Sequence, residues 1–308
     1  MSVRFCINSK PTPVSNLEID TLNKGELFLK GNNGCTVILV HGLTGTPNEM
    51  KFLANFLNKM GYSVICPRLV NHGEPLDILK HTKWQDFYQS VRESFIKLNE
   101  TEELIFVSGL SMGALLALLL AEEFKDRIAG VSCLSPTLFY DGWNMPWYRC
   151  FLPLLYVTGL RRFFYFKEDP PYGIKNNAIR RRVHEYYNQA SMYDIENVTQ
   201  YGYPYVPVDL LYQLHLLVKF LIKKLANIEA PVQLIQARDD DMTSVKNSQY
   251  IYSRIKSEKK EIVLLTDSYH VITADNERAK VAHNMEDFFD SIRVTFKENL
   301  EEYKMANR

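Results

Sequence analysis

The sequence Gly-Leu-Ser-Met-Gly at 109–113 constrains the fold more than any other feature of this chain. It follows an apolar, strand-like run at 104–108 and precedes the helix-forming run that begins at Ala114. A serine in a tight turn between a strand and a helix needs neighbours without side chains, so that the backbone can bend and expose the hydroxyl. The positive end of the helix dipole also favours negative charge there. The pattern therefore predicts that Ser111 is a nucleophile rather than a serine in an ordinary turn.

Short aliphatic runs alternate with longer helical stretches, which is typical of a parallel sheet covered by helices on both faces. The predicted strands are 36–40, 62–66, 104–108, 128–134, 232–237 and 262–265. The predicted helices are 49–60, 83–98, 112–124, 244–255 and 274–296. One segment, 136–229, interrupts this order, since it is rich in aromatic residues and arginine and has no strand-like run. The sequence predicts an α/β fold with a mostly parallel central sheet, formed by 1–135 and 230–308, and a helical cap inserted at 136–229.

A second motif, His-Gly-Leu-Thr-Gly at 41–45, comes directly after the predicted strand 36–40. In a strand–serine–helix site of this kind, the loop after that strand donates one backbone N–H to the tetrahedral oxyanion, and the residue after the nucleophile donates another. Leu43 and Met112 are the candidate donors. His41 is predicted to be structural rather than catalytic.

A serine hydroxyl is a poor nucleophile near neutral pH and needs a base within hydrogen-bonding reach. Of the seven histidines, His270 is the candidate because it follows the last predicted strand and comes after Ser111 in the chain. The base needs a carboxylate that fixes its tautomer. Asp240 stands three residues after the strand 232–237 and is the candidate, with Asp239 and Asp241 as alternatives.

Four segments of the chain, which contain the candidate site residues, match the motifs of a known protein family. They are His-Gly-Leu-Thr-Gly at 41–45, Gly-Leu-Ser-Met-Gly at 109–113, Gln-Ala-Arg-Asp-Asp-Asp-Met at 236–242 and His-Val-Ile-Thr at 270–273. With them, the chain resembles the bacterial carboxylesterase and monoacylglycerol lipase group of α/β-hydrolases. Tyr269 departs from the pattern, because the group usually has glycine before the histidine, and the cap is longer than in its smallest esterases.

The resemblance implies the α/β-hydrolase fold with a cap, a catalytic triad and cleavage of carboxylic esters. The roles it implies are nucleophile for Ser111, base for His270, orienting carboxylate for Asp240 and oxyanion donors for Leu43 and Met112. Such a triad needs no cofactor and no metal. The same triad also serves thioesterases, acyltransferases and lysophospholipases, and a hydrolase fold can bind a ligand without catalysis, so these alternatives remain open.

Composition limits the partners. The 36 Lys and Arg residues balance the 36 Asp and Glu residues, so no overall field favours nucleic acid or a strongly charged substrate. The five cysteines are scattered without metal-ligand spacing, which predicts buried, reduced thiols. The N-terminus lacks the features of a signal peptide, which predicts a cytoplasmic protein. The longest apolar run, 114–121, is far short of the roughly 20 residues of a membrane span, so only peripheral membrane contact is predicted.

Aromatic clusters in the cap indicate a hydrophobic substrate, such as a monoacyl ester of medium or longer chain. Trp143, Trp147 and Phe163 are candidate substrate-binding residues, although most cap aromatics are expected to form the core of the cap itself. The basic runs 161–162 and 180–182 are read as solvated faces, with a phosphate head group or a membrane surface as the alternative. The sequence carries no signal for an oligomeric state.

Overall fold

The computed structural model describes residues 25–98, 104–190 and 202–306 of the 308-residue chain. Within these residues, seven strands form one sheet in the order β1-β3-β2-β4-β5-β8-β9, and β6 pairs with β7 elsewhere. The strands are β1 (Leu27–Leu29), β2 (Cys35–Val40), β3 (Ser63–Cys66), β4 (Leu104–Leu110), β5 (Gly130–Leu134), β6 (Tyr165–Lys167), β7 (Tyr205–Pro207), β8 (Val232–Ala237) and β9 (Lys260–Leu265).

The helices are α1 (Lys51–Lys59), α2 (Leu76–Leu79), α3 (Trp84–Leu98), α4 (Met112–Phe124), α5 (Leu152–Thr158), α6 (Asn177–Gln189), α7 (Val208–Ile222), α8 (Lys246–Arg254) and α9 (Arg278–Ala306). Short 3₁₀ turns at Trp147–Phe151 and Leu160–Phe163 flank α5. The predicted α/β-hydrolase fold is confirmed, with a mostly parallel sheet between two helical layers. All six predicted strands are present, with bounds that shift by at most two residues.

Burial explains the parallel sheet. Every residue of β2 and β8 is buried, because α1 and α9 cover one face of the sheet while α3, α4, α7 and α8 cover the other. The central helix α4 is apolar on all sides, since it contacts β4 and β5 below and α3 and α7 at its flanks. The strand β1 was not predicted. It is three half-buried residues long and pairs antiparallel with β3 at the edge of the sheet.

The cap segment differs from the prediction in one respect. The expectation that 136–229 contains no strand is wrong, because β6 and β7 pair antiparallel within it, with Phe166 opposite Val206. Helix α7 also falls in this segment, yet its buried face packs on α3 and α4 as part of the core. We therefore propose that the inserted cap ends at β7, before α7, rather than at residue 229.

Of the four cysteines that the structure describes, Cys35, Cys66 and Cys133 are buried as predicted, and none of the four forms a disulfide. Cys150 is exposed, which the sequence did not predict, because it lies in a cap turn whose side chains face solvent. Cys6 and the N-terminal segment used for the location lie outside the described residues. Among the helices that the structure describes, none is both long and apolar enough to cross a membrane.

Candidate active site

Ser111 lies in the turn between β4 and α4 with φ 57° and ψ −114°, a left-handed conformation that costs a non-glycine residue about 1–3 kcal/mol. The flanking glycines make this turn sterically possible. A Cβ atom on Gly109 would lie 2.2 Å from the carbonyl carbon of Gly113. A Cβ atom on Gly113 would lie 2.3 Å from the backbone oxygen of Val40. The two glycines therefore allow the start of α4 to pack directly on the ends of β2 and β4 and to present Ser111 above the sheet.

The Ser111 hydroxyl has a partner that sequence reasoning missed. Its Oγ atom lies 2.8 Å from Oγ1 of Thr137, and the Thr137 hydroxyl also reaches the backbone oxygen of Ser135 at 3.3 Å. Thr137 follows β5, the strand next to β4. The carboxyl ends of neighbouring parallel strands meet at one edge of a sheet, and this rule was the available signal for Thr137.

Three consecutive aspartates follow β8, and their surroundings differ. Asp240 is buried and accepts a hydrogen bond from Nδ1 of His270, with 2.9 Å between Nδ1 and Oδ2. Asp241 binds the same residue through its backbone, since its Oδ1 atom accepts the His270 N–H at 3.3 Å. Asp239 is exposed and lies 4.0 Å from Lys175. Of the three carboxylates, Asp240 is therefore placed to orient the imidazole.

Asp240 is itself held by Thr243, whose backbone N–H donates to Oδ1 at 2.8 Å and whose hydroxyl donates to Oδ2 at 3.0 Å. Burial alone would lower the pKa of His270, but the attraction and hydrogen bond of Asp240 outweigh it, and Asp241 and Glu49 add to the effect. The pKa of His270 is therefore raised above its ordinary value. The arrangement favours an imidazole that accepts and holds a proton.

The loop after β2 is braced by two buried histidines. Nδ1 of His41 lies 2.9 Å from the backbone oxygen of Gly42. Its Nε2 atom accepts a hydrogen bond from the backbone N–H of Leu69 at 3.3 Å. Nε2 of His72 donates to the backbone oxygen of Leu43 at 2.9 Å. Burial lowers the pKa of both rings, that of His72 to about 4, so both are neutral near pH 7. These contacts fix the backbone around Leu43, the first candidate oxyanion donor. The second candidate, Met112, is the first residue of α4, and the N–H groups in the first turn of a helix have no partner within the helix.

Two carboxyl groups close to His270 were not predicted. Oε2 of Glu49 accepts the N–H of Gly42 at 2.9 Å, so this side chain holds the same loop. Burial raises the pKa of Glu49, while the bond from Gly42 and the nearby His270 lower it in part. Glu168 lies in the cap after β6, where burial first and then repulsion from Asp241 and Asp169 raise its pKa to about 7, although His270 opposes the rise. No motif in the sequence marks either residue.

Glu168→Gln is expected to change the pH dependence of stability. The folded state keeps the Glu168 proton up to a pKa of about 7, whereas the unfolded chain releases it near the ordinary value of 4.5. The native protein therefore loses stability from this group as the pH rises between these values, by up to about 3 kcal/mol. Urea unfolding at pH 5 and at pH 8 should show the variant gaining roughly 2–3 kcal/mol relative to the native protein at the higher pH. The exposed Glu185 of α6, replaced by Gln, is the matched control. An equal effect of Glu168→Gln at both pH values would contradict the assignment.

Ser111 and His270 line one cavity of about 370 Å³ between the sheet and the cap. Its apolar wall comes from the core and from the cap, and it includes Leu43, Leu110, Met145, Leu152, Phe166, Val206 and Leu211. Glu49, Glu168 and Tyr187 form polar parts of the same wall. Among the described residues, no three His, Cys, Asp or Glu side chains are grouped so that they could hold a metal ion.

The three aromatic residues predicted to bind substrate are not on this wall. Trp143, Trp147 and Phe163 are exposed, at 60%, 77% and 76% of their surface, and the Trp143 indole donates to the backbone oxygen of Asp239. The cap aromatics that do line the cavity are Tyr140, Tyr148, Phe166, Tyr172 and Tyr187. Composition alone does not separate the two sets, because inward and outward aromatics can be direct neighbours in the chain, as Trp147 and Tyr148 are.

The fold, the strained serine turn and the histidine–carboxylate pair define a serine hydrolase of the α/β-hydrolase class. Comparison with known proteins gives the family. The model of the hydrolase family described as Serine aminopeptidase, S33, matches residues 31–277, and the chain belongs to this family.

The relatives are lipolytic enzymes and esterases. The thermostable monoacylglycerol lipase of Bacillus sp. (strain H-257) is 30% identical over 268 residues, which cover 87% of this chain and 95% of that protein. The carboxylesterase of Bacillus subtilis (strain 168) is 25% identical over 262 residues, 83% of this chain and 92% of the relative. A solved structure from work on the metagenome-derived lipolytic enzymes LipS and LipT superposes with a TM-score of 0.68 at 25% identity, covering 88% of this chain and all of the other. The predicted resemblance to the carboxylesterase and monoacylglycerol lipase group is confirmed.

Proposed function

We propose that this enzyme hydrolyses carboxylic esters with a hydrophobic acyl chain, as a carboxylesterase or monoacylglycerol lipase does, through an acyl-enzyme on Ser111. One observation carries the proposal. Ser111 and a His270 that is paired with Asp240 open into the same cavity, and much of the wall of that cavity is apolar. The monoacylglycerol lipase and carboxylesterase relatives support the same reaction.

In the first half of the reaction, the Ser111 hydroxyl exchanges its partner Thr137 for Nε2 of His270. His270 takes the proton as Oγ attacks the ester carbon, and the imidazolium is stabilised by Asp240. The carbon–oxygen bond to the alcohol then breaks, and His270 returns the proton to the departing alcohol. In the second half, His270 removes a proton from water, which attacks the carbon of the acyl-enzyme. The bond between that carbon and Ser111 Oγ then breaks, His270 returns the proton to Oγ, and the acid is released.

The tetrahedral intermediates of both halves place negative charge on the former carbonyl oxygen. We propose the backbone N–H groups of Leu43 and Met112 as its donors, each contributing about 3 kcal/mol to the stabilisation of the transition state. The contacts of His41, His72 and Glu49 with the loop hold the first donor in place before substrate binds. Preorganised donors of this kind need no rearrangement when the charge develops.

The rate should rise with acyl chain length, because the cavity buries apolar surface. Octanoyl has six CH₂ groups more than acetyl, which amounts to roughly 5 kcal/mol at about 0.8 kcal/mol each, before the cost of ordering the chain. We expect kcat/KM for p-nitrophenyl esters to rise about 100-fold or more from acetyl to octanoyl. A flat or falling series would contradict a hydrophobic acyl site.

Helix α5 offers a matched pair for this experiment. Leu152 lines the cavity, whereas Leu154 is exposed. Leu152→Ala should reduce the preference for octanoyl over acetyl about tenfold, and Leu154→Ala should leave it unchanged. Thioesters, lysophospholipids and an added alcohol acceptor, assayed in parallel, separate the alternative uses of the same triad.

A cytoplasmic location and peripheral membrane contact remain predictions.

A further inference from the structure

A buried carboxylate outside the triad fastens the loop that carries His270 to the cap. Asp275 follows His270 by five residues, lies just before α9 and is 2% exposed. Its Oδ2 atom accepts the backbone N–H of Tyr269 and that of Lys175, each at 2.8 Å. Its Oδ1 atom accepts the N–H of Asn176 at 2.8 Å and that of the next residue in its own chain at 2.9 Å. One side chain therefore joins the residue before His270 to the cap residues that lead into α6.

A second buried carboxylate makes the same connection at His270 itself. Asp241 accepts the His270 N–H at 3.3 Å with Oδ1 and the Gly173 N–H at 3.1 Å with Oδ2. The backbone oxygen of Gly173 accepts the N–H of Val271 at 2.8 Å, and Val271 packs against the small apolar core of the cap. Both neighbours of His270 are therefore held to the same four cap residues, 173–176, which we call the cap anchor.

Gly173 allows this close contact. Its φ is +70°, and a Cβ atom there would lie 3.1 Å from Cβ of His270 and 2.8 Å from Cγ2 of Val271. A side chain at this position would force the cap anchor or the His270 loop to shift, because packed interiors leave no room for an added methyl group. The cap anchor and the loop are therefore in direct contact beside the imidazole.

The departure at Tyr269 belongs to the same contact. Its ring lies edge-on to that of Trp143, with 5.5 Å between the ring centroids, and Nζ of Lys175 is 5.7 Å from the centroid of Tyr269. Trp143 belongs to the first part of the cap and Lys175 to the cap anchor. A glycine, which the resembling group usually has before the histidine, would make neither contact. In this chain the loop therefore has a further attachment to the cap.

A simpler role for Asp275 would be to cap α9, as a carboxylate before a helix often does. The observed donors do not fit that role. The N–H groups of Tyr269, Lys175 and Asn176 all lie outside α9, and two of them belong to the cap anchor. The carboxylate therefore connects three parts of the chain, of which the start of α9 is one.

We propose that Asp275 is a positioning residue for His270, and that it makes the cap anchor part of the support of this base. The proposal rests on the proposed role of His270 in ester hydrolysis. The imidazole has to keep Nδ1 on Asp240 while Nε2 reaches Ser111, and a displacement of about 1 Å can cost about 100-fold in rate. Buried backbone N–H groups that share one acceptor resist such a displacement, because any that moved away would lose its partner.

The test compares Asp275→Asn with Asp267→Asn in the full chain. Asparagine has one accepting oxygen where Asp275 serves four donors, and its NH₂ group is itself a donor. Asp267 lies in the same loop, but its side chain is 60% exposed and reaches Lys175 at 3.3 Å. Asp275→Ser is the third variant, since serine keeps an oxygen that can cap α9 but is too short to hold the cap anchor.

The rate is measured per working site, so that unfolded protein does not count. Reaction with a fluorophosphonate run to completion gives the concentration of reactive Ser111. We expect Asp275→Asn and Asp275→Ser to lower kcat per site for p-nitrophenyl octanoate about 10- to 100-fold, with KM changed by about threefold or less. Asp267→Asn should keep both values. A loss of stability alone would lower the number of working sites and leave kcat per site unchanged.

Two glycines test the contribution of the cap. Gly173 and Gly159 both have a left-handed φ, +70° and +75°, so alanine adds a similar backbone strain at each. Beyond its chain neighbours, a Cβ atom on Gly159 would meet no atom within 4 Å in the part of the chain that the structure describes. Only Gly173→Ala therefore presses on the His270 loop. It should lower kcat per site about tenfold or more, whereas Gly159→Ala should stay within about twofold of the native value.

Native kcat per site in Asp275→Asn, or its restoration in Asp275→Ser, would overturn the positioning role and leave Asp275 as a structural residue or a helix cap. A native value in Gly173→Ala would overturn the part assigned to the cap anchor. If the native protein labels at Ser111 but turns over no ester, the proposed hydrolysis fails by itself. The initial rate of labelling, which also depends on the base, then replaces kcat in the same comparisons.

Discussion

Ser111→Ala is expected to lower kcat for a soluble p-nitrophenyl ester by about a million-fold, as loss of the nucleophile does in other serine hydrolases. The residual rate would come from substrate binding and the oxyanion donors, which remain. Stability should change little, because alanine keeps the same backbone strain and removes only a hydroxyl, and Thr137 keeps its bond to the backbone oxygen of Ser135. Initial rates at substrate saturation, with a melting curve for each variant, measure both effects.

Thr137→Val is the matched control for this experiment. It removes the hydroxyl that is 2.8 Å from Ser111 Oγ and keeps the shape of the side chain. We expect a change of tenfold or less, because Thr137 holds the resting serine and takes no proton in the reaction. If Ser111→Ala retained more than a few per cent of the native rate, or if Thr137→Val were the more damaging change, Ser111 would not be the nucleophile.

Asp240→Asn is expected to lower kcat/KM by about 10⁴-fold at neutral pH. The asparagine keeps the geometry but cannot stabilise the imidazolium. When its NH₂ group faces the ring, it donates to Nδ1 of His270 and so favours the wrong tautomer. The pH profile should also move. Asp240 raises the pKa of His270, and the base acts only when it is neutral, so loss of the carboxylate should shift the acidic limb of the profile to lower pH.

The neighbouring aspartates supply the controls. Asp239→Asn should leave both rate and profile unchanged, because Asp239 is exposed and its nearest charged partner is Lys175. Asp241→Asn should have an intermediate effect, since this carboxylate holds the backbone of His270 and of Gly173 rather than the ring. A profile of Asp240→Asn that kept the acidic limb of the native enzyme would show that Asp240 does not act on His270.

The core elements were predictable because their signals are local. Six strands read as apolar runs, and five of them are almost entirely buried. Glycines at fixed positions around Ser111 are required by the close packing of α4 on β2 and β4. The chain order of serine, aspartate and histidine then excluded the histidines before Ser111, and the position after the last predicted strand selected His270. The sequence favoured Asp240 but left its neighbours Asp239 and Asp241 as alternatives. The hydrogen bonds to His270 distinguish between the three carboxylates.

The features that escaped prediction depend on contacts between distant parts of the chain. β1 is stabilised by its partner β3 rather than by its own three residues. Glu49 and Glu168 line the same cavity, and nothing in their own neighbourhoods in the chain marks them. Thr137 matters through its contact with the Ser111 hydroxyl, which joins the ends of two strands that are distant in the chain. In the cap, inward and outward aromatics can be neighbours in the chain, as Tyr148 and Trp147 are, so Trp147 and Phe163 were assigned to the substrate although they face solvent.

The central claim is that the hydroxyl of Ser111 attacks the substrate with His270 as its base. Labelling with a fluorophosphonate probe, followed by mass spectrometry of the peptides, tests it most directly. One adduct on Ser111 is predicted in the native enzyme, with much slower labelling of His270→Ala and none of Ser111→Ala. An adduct on another residue, or ester turnover by a native enzyme whose Ser111 stays unlabelled, would contradict the claim.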